Sequence, residues 1–475
     1  MVRQQEKEAG QACAENRHKS LQGSPASRIH TLIAALFVGF PPIVFYTVLF
    51  RNALDIPNHD DYYVPLSFLN QLVLLKTISE KATLFLTFQH NEYKLFFLQA
   101  LAWLQLVLCG HVSLTLLDAI GNGFVLLLGF LLWKMFLPTH RDFATRLAFF
   151  IPVSCLLFQL QYWETLNWAS TGLQHLAVLP FSFGAIYLLV RGRRWAFCSA
   201  LAFLILAVAS DGNGFLLIPI GVLILALRRR YAHLAVWLLA SIGCVAVYAY
   251  HYNVMSSQTN AHHSVFSTFH PLNLAYVISF IGSAGGFPFQ SGSLLLGSLL
   301  CMFFIYMAYR GYLRKNPLVS YCVLFLLLTT IGVSGIRSGF GVAQSLSSRY
   351  AIYSALFLVF AWFAIVEEFL QHRRVSPLGN GFFLGAAAAA ILFSLCMDWV
   401  GSITLEKRNL EFIQAMTAFE HPASPGSTVG PAPLLPLPPN SPEIDEFNRE
   451  SRAILIQSIK LGVYRPPPYP SVDAH

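Results

Sequence analysis

Residues 95–110 read LFFLQALAWLQLVLCG, and where this stretch lies decides the topology of the whole chain. It is apolar, yet shorter than the roughly 20 residues a helix needs to cross a bilayer. If it crossed, Arg141 and Arg146 would land on the outer side, and every later basic cluster would follow the wrong pattern. If it lies in the membrane interface, the next span is 114–136. Then Lys134/Arg141/Arg146, Arg191/Arg193/Arg194, Arg228/Arg229/Arg230, Arg310/Arg314/Lys315 and Arg373/Arg374 all share the side of the basic N-terminal residues Lys19 and Arg28. Positive charge collects on the cytoplasmic side of membrane proteins, which selects the interfacial placement.

The rest of the chain fits that frame. Hydrophobic residues make up 55% of it and charged residues only 11%, where a soluble protein carries about a quarter. Apolar runs recur from Thr31 almost to Val400, continuous rather than alternating, so they read as helices and not barrel strands. The expected fold is all-α, a polytopic transmembrane helical bundle with outer juxtamembrane helices. Its expected spans, about eleven, are near 30–50, 114–136, 147–161, 172–190, 195–210, 214–227, 232–250, 291–309, 317–335, 351–369 and 377–399. Residues 272–289, with Gly282, Gly285, Gly286 and Pro288, read as an outer interfacial or re-entrant piece. The expected organisation is a cytoplasmic segment 1–28, a membrane domain 29–400 with its first outer segment at 51–113, and an outer tail 401–475. The tail has a helical pattern at 403–420, a Pro-rich linker at 422–442 and an amphipathic stretch at 443–461. The first apolar run is too long for a signal-peptide core and reads as an uncleaved span. Seven of the eight cysteines lie in apolar runs and no CxxC occurs, so they read as packing residues rather than disulfides or a zinc site. The net charge of +8 belongs to short loops between spans and does not point to nucleic acid.

Polar residues gather at the outer ends. The first outer segment opens with Asn58-His59-Asp60-Asp61-Tyr62-Tyr63 and later carries His90-Asn91-Glu92-Tyr93-Lys94. The next outer loop has Glu164 and Trp168, with Gln174 and His175 one turn into the following span, and 336–350 contributes Arg337, Gln344, Arg349 and Tyr350. Polar groups near lipid are costly unless satisfied or lining a wet cavity, so this gathering marks an outward-facing site. Asp60 and Asp61 cannot both face one way on a helix; one is expected to accept a proton from a hydroxyl and the other to be structural. Capping of a helix at 62–75 is the competing reading of the pair. Glu92 suits a second acid, and Arg337 and Arg349 suit a phosphate, which a guanidinium binds with two parallel hydrogen bonds. No metal site is assigned; a divalent metal on His59, His90 and Glu92 stays open, although their spacing matches no known ligand motif. Asp211-Gly212-Asn213-Gly214 lacks the Lys-Ser/Thr of a nucleotide loop and reads as a tight turn between spans.

Together these stretches resemble the GT-C superfamily of polytopic membrane glycosyltransferases, in particular poorly characterised bacterial members with Asp-Asp followed by His-Asn-Glu-His-Arg. Here Tyr93 and Lys94 stand where His and Arg are usual. Glu164–Gln174, Asp211–Gly214 and Ser348-Arg349-Tyr350 are also similar. The resemblance implies transfer of a sugar from a polyprenyl-phosphate donor to a cell-envelope acceptor (glycan, lipid or protein), on the periplasmic face of the bacterial inner membrane. It implies Asp60 or Asp61 as the base and Glu92 as a catalytic partner. Substrate binding would fall to His59, His90, Lys94, Glu164, Gln174, Arg337, Arg349 and Tyr350. The alternatives are a transporter or flippase of a lipid-linked glycan, and a glycan polymerase or ligase. A transporter would place ionisable groups near mid-span, where this chain has essentially none.

Overall fold

The computed structural model describes residues 25–136, 143–253, 271–287, 289–371, 377–420 and 442–467. Lys19, Arg141, Arg373, Arg374, most of the segment 1–28, part of the loop before 271, Pro288 and the Pro-rich linker up to 441 lie outside the described residues. Among those described the chain is helical, with no strand; two isolated backbone bridges join His90 to Tyr93 and Val112 to Tyr464.

Among the described residues eight helices are long and apolar enough to cross a membrane: Arg28–Asn52, Leu114–Met135, Ala169–Arg191, Tyr231–Ala249, Gln290–Tyr309, Pro317–Phe340, Ser348–Phe369 and Gly381–Thr417. Phe143–Leu157 and Leu160–Leu166 make a ninth if the pair, bent by 55°, is one span. The bend sits at Gln159, whose backbone is extended and whose side chain accepts from the amide of Gln161 at 2.5 Å. Asp398, from the last helix, accepts from the amide of Leu160 at 3.1 Å and so caps the resumed helix. Trp195–Ser210 and Gly212–Leu227 are shorter apolar helices, bounded by Gly192, Asp211 and Arg228.

The two faces are chemically distinct. At one, Arg146 donates to the carbonyl of Trp133, Arg228 to that of Val190 and Arg230 to that of Gly192, and Arg310 pairs with Glu368. These guanidiniums meet helix C-termini, where the carbonyls and the dipole favour a cation. At the opposite face Asn58 donates to Asn167, Gln89 to Asn253 and Arg337 to Glu92, tying the first outer segment across the bundle.

Residues 95–110 form the helix Phe96–Cys109. Gly110 closes it with φ 74°, a left-handed cap that favours glycine. Leu98, Gln99, Ala102 and Gln105 are buried against protein, while Trp103, Leu104, Val107 and Leu108 are exposed. An apolar face left open beside a buried one is what a helix lying at a membrane surface needs.

The last helix differs from expectation. The pattern at 403–420 is not a separate helix of the tail; it continues the last apolar segment as one helix of 44 residues, Pro377–Glu420. Hydropathy falls near residue 400, but nothing there breaks a helix. Gly401 lies against the kink, and a Cβ there would sit 2.4 Å from Leu160 Cβ and 2.6 Å from its carbonyl oxygen. Leu405 is the last residue of this helix in the larger core, and from Phe412 onward the helix enters a second one. That core gathers Tyr62, Phe68 and Leu72 from the outer segment, Leu98 and Ala102, Phe412 and Met416, and Leu455, Val463 and Tyr464 from the C-terminal end. The C-terminal helix Pro442–Lys460 is therefore packed onto the outer segment.

Candidate active site

The Asp60–Asp61 pair is split by the turn that carries it. His59 has φ 42°, and the amides of Asp61 and Tyr62 close on the carbonyls of Asn58 and His59. A π-helical turn, Tyr62–Leu66, follows; Pro65 within it has no amide to give an α-helical ladder. Asp61 is 1% exposed. It does not cap its own helix. Instead Oδ1 accepts from the amide of Ser170 at 2.8 Å and from its hydroxyl at 2.5 Å, and Oδ2 accepts from the amide of Asn58 at 3.1 Å. It thus caps the long helix Ala169–Arg191 from outside, at the end where the dipole favours an anion. Burial pushes its carboxyl up to about 7, against the pull of the Ser170 and Asn58 donors. Asp55 acts likewise on the helix that starts at Leu114, accepting from that amide at 2.5 Å.

Asp60 faces the other way. Its side chain is 37% exposed, and Oδ1 lies 2.9 Å from Nε2 of His90. Partial burial raises its carboxyl, but the hydrogen bond and charge of His90, with His59 and Arg349 nearby, outweigh that and bring it down to about 2. His90 starts a four-residue turn in which its amide and carbonyl bond those of Tyr93 at 3.0 and 2.9 Å, and Asn91 takes φ 48°. The turn points His90 toward Asp60 and Glu92 toward Arg337, whose Nη2 lies 2.9 Å from Glu92 Oε1.

The second arginine is held in the same manner. Glu164 Oε2 accepts from the amide of Arg349 at 3.2 Å and lies 3.8 Å from its Nη1. The Arg349 guanidinium also stands over the rings of Trp168 and Tyr350. Tyr350 packs edge-on against His175. His175 and Gln174 converge on Asp211, at 3.7 and 3.1 Å. Asp60, Glu92, His90, Glu164, Gln174, Arg337, Arg349 and Tyr350 thus gather at one face.

No protein-family model, curated protein or solved structure matches the chain.

Two of the expected site residues sit differently. Lys94 is 1% exposed, and its ammonium donates to the carbonyls of Leu86 (2.8 Å) and Tyr250. It braces the outer segment against the end of Tyr231–Ala249, so its charge is spent on carbonyls. His59 is wedged between Trp168 and Phe447, with ring centroids 5.2 and 5.4 Å away, and burial holds its imidazole down to about 4. The metal set of His59, His90 and Glu92 is not assembled: among the described residues no three His, Cys, Asp or Glu side chains are grouped to hold an ion. Each has another neighbour, aromatic for His59, Asp60 for His90 and Arg337 for Glu92.

Sequence reasoning passed over Asp211 as a turn residue. The turn is there, and Gly214 approaches within 2.2 Å of the Ala207 carbonyl at its Cβ position, which excludes any side chain. Yet Asp211 also gathers Gln174, His175 and Asn213. The signal was available as a buried acid between two apolar runs. Tyr63, Phe447 and Glu450 were passed over as well, because their relevance rests on contacts between distant segments.

Proposed function

We propose that the chain is an integral-membrane glycosyltransferase of GT-C type. It would move a sugar from a polyprenyl-phosphate donor to a cell-envelope acceptor on the periplasmic face of the bacterial inner membrane. One observation carries this reading. A partly open carboxylate, Asp60, is paired to His90 at the same polar face as two arginines, each held by its own glutamate. In the transfer, an acceptor hydroxyl oxygen bonds to the anomeric carbon as the bond from that carbon to phosphate oxygen breaks. The hydroxyl proton passes to the Asp60–His90 pair. The departing lipid phosphate gains charge, which Arg337 and Arg349 are suited to meet; each guanidinium has five N–H donors and spends only part of them on its glutamate. The long apolar helices supply the lipid-facing surroundings that a polyprenyl chain needs.

The reading includes eleven crossings, counting the kinked pair and the two shorter helices, with residues 51–113 and the C-terminal helix outside. Two cysteine variants in a cysteine-free background test the orientation. An impermeant thiol reagent added to intact cells should label Ser79→Cys and leave Arg229→Cys unlabelled; the opposite pattern inverts the topology.

Function is tested by removing the chain from its host and comparing envelope glycans by mass spectrometry. The expected result is one glycan short by a single sugar, with the lipid-linked donor accumulating, restored by the wild-type chain. A complete but untranslocated glycan would mean transport, and an unchanged profile would sink the transferase reading.

A further inference from the structure

The pairing of His90 with Asp60 does not stand on the outer segment alone. The ring of Tyr63 lies stacked on the His90 imidazole, centroids 5.1 Å apart and planes 13° from parallel. The Tyr63 hydroxyl donates to Glu450 Oε2 at 3.0 Å, and Glu450 belongs to the C-terminal helix, 387 residues further along. Burial and the Glu450 carboxylate both push the Tyr63 phenol up, so it stays protonated and keeps donating. Phe447, one turn earlier, packs on Tyr63 and on His59. Three distant pieces of chain therefore fix one imidazole: the turn at 90–93 sets its backbone, Tyr63 its plane, and Glu450 the tilt of Tyr63.

This arrangement is not needed to dock the C-terminal helix. Leu455, Val463 and Tyr464 are fully buried. Asn70 donates to the carbonyl of Ile454 at 3.2 Å, the amide of Val112 to that of Val463 at 2.7 Å, and the Tyr464 hydroxyl to that of Asp55. The Tyr63–Glu450 bond is an addition to an interface already secured elsewhere, and it sits at the end of that interface nearest Asp60.

We propose that Tyr63 and Glu450 are positioning residues, through which the C-terminal helix holds the His90 ring with Nε2–H directed at Asp60 Oδ1. The inference rests on the transferase reading for its consequence in catalysis but not for its geometry. With the ring so held, an Nε2–H donates to the Asp60 carboxylate, which can only accept, and the side-chain amide of Asn91, 3.1 Å from the same nitrogen, would meet that N–H through its oxygen. Loosening the stack lets the ring rotate and lets the proton settle on either nitrogen.

The test uses the full-length protein in detergent with 15N-labelled histidine, the His90 signal being assigned by its loss in His90→Gln. Wild type is expected to show His90 as a single Nε2–H tautomer. Tyr63→Leu, which removes both the stack and the hydroxyl, and Glu450→Leu, which removes the acceptor, should give mixed tautomers. In cells each should lose about tenfold or more of the glycan product, the scale at which small misplacements act. Glu450→Gln keeps an acceptor oxygen and should retain the single tautomer. Asn70→Ala removes a contact of the same helix away from His90. It should lower the thermal midpoint without changing the tautomer. Unchanged His90 signals in Tyr63→Leu and Glu450→Leu would overturn the proposal, as would an equal change in Asn70→Ala. Altered tautomers with unaltered glycans would uphold the positioning and count against the transferase reading instead.

Discussion

Asp60→Asn is expected to lower the proposed transfer by at least about a hundredfold, the usual contribution of a positioned acid–base group. The substitution keeps the size of the side chain and leaves an oxygen able to accept from His90, so the fold should be untouched. It removes the charge. The imidazole then has no carboxylate beside it to stabilise a gained proton, and Arg349 and His59 lose the anion that faces them. The measurement is the amount of glycan product by mass spectrometry at matched protein levels in the membrane. Product at wild-type level would remove Asp60 from the chemistry. The carboxylate lies down at about 2, so it remains ionised throughout the range where cells live. An acid limb in the pH–rate profile above about pH 4 would then have to come from another group.

Asp61 should behave in the opposite way, as the second large effect. Asp61→Leu leaves the amide and hydroxyl of Ser170 and the amide of Asn58 buried with no acceptor. Each such orphan costs about 1–3 kcal/mol, and the long helix from Ala169 loses its cap. Little folded protein is expected in the membrane. Asp61→Asn keeps an acceptor oxygen and should fold, and it carries a pH signature. The folded carboxyl is raised to about 7 from an ordinary value of 3.8, so the folded state holds that proton more tightly than the unfolded state does. Its contribution to stability is greatest below pH 3.8 and declines as pH rises through about 7. Thermal midpoints in detergent at about pH 5 and about pH 8 should therefore fall more for wild type than for Asp61→Asn. Equal falls in the two proteins would show that Asp61 does not titrate in this window.

The neighbouring aspartates show what a sequence can and cannot disclose. Adjacency alone said that the two carboxylates diverge. Which one turns inward depended on Ser170, more than a hundred residues away, meeting Asp61 across the bundle. The helices were legible because apolar runs are continuous. Residues 95–110 were legible as a short helix by length. The last helix was misread as two, since a drop in hydropathy marks the edge of a lipid environment and not the end of a helix. Lys94 looked available for an anion because its carbonyl partners, Leu86 and Tyr250, come from separate segments. Glu450 looked like part of a tail for the same reason.

The unbroken helix Pro377–Glu420 is roughly 65 Å long, about twice what a bilayer core would take. It stands as a mast. Just past its middle it is fitted to the kink at Leu160 by Gly401, and further along Asn409 holds Asn52 at the end of the first helix. Phe412 and Met416 then carry the outer core. A rod pinned at these points sets the rotational phase of the second core that docks on it. Each residue along it turns the mast by about 100°, so length and angle between Gly401 and Phe412 are bound together as a single dimension of the site.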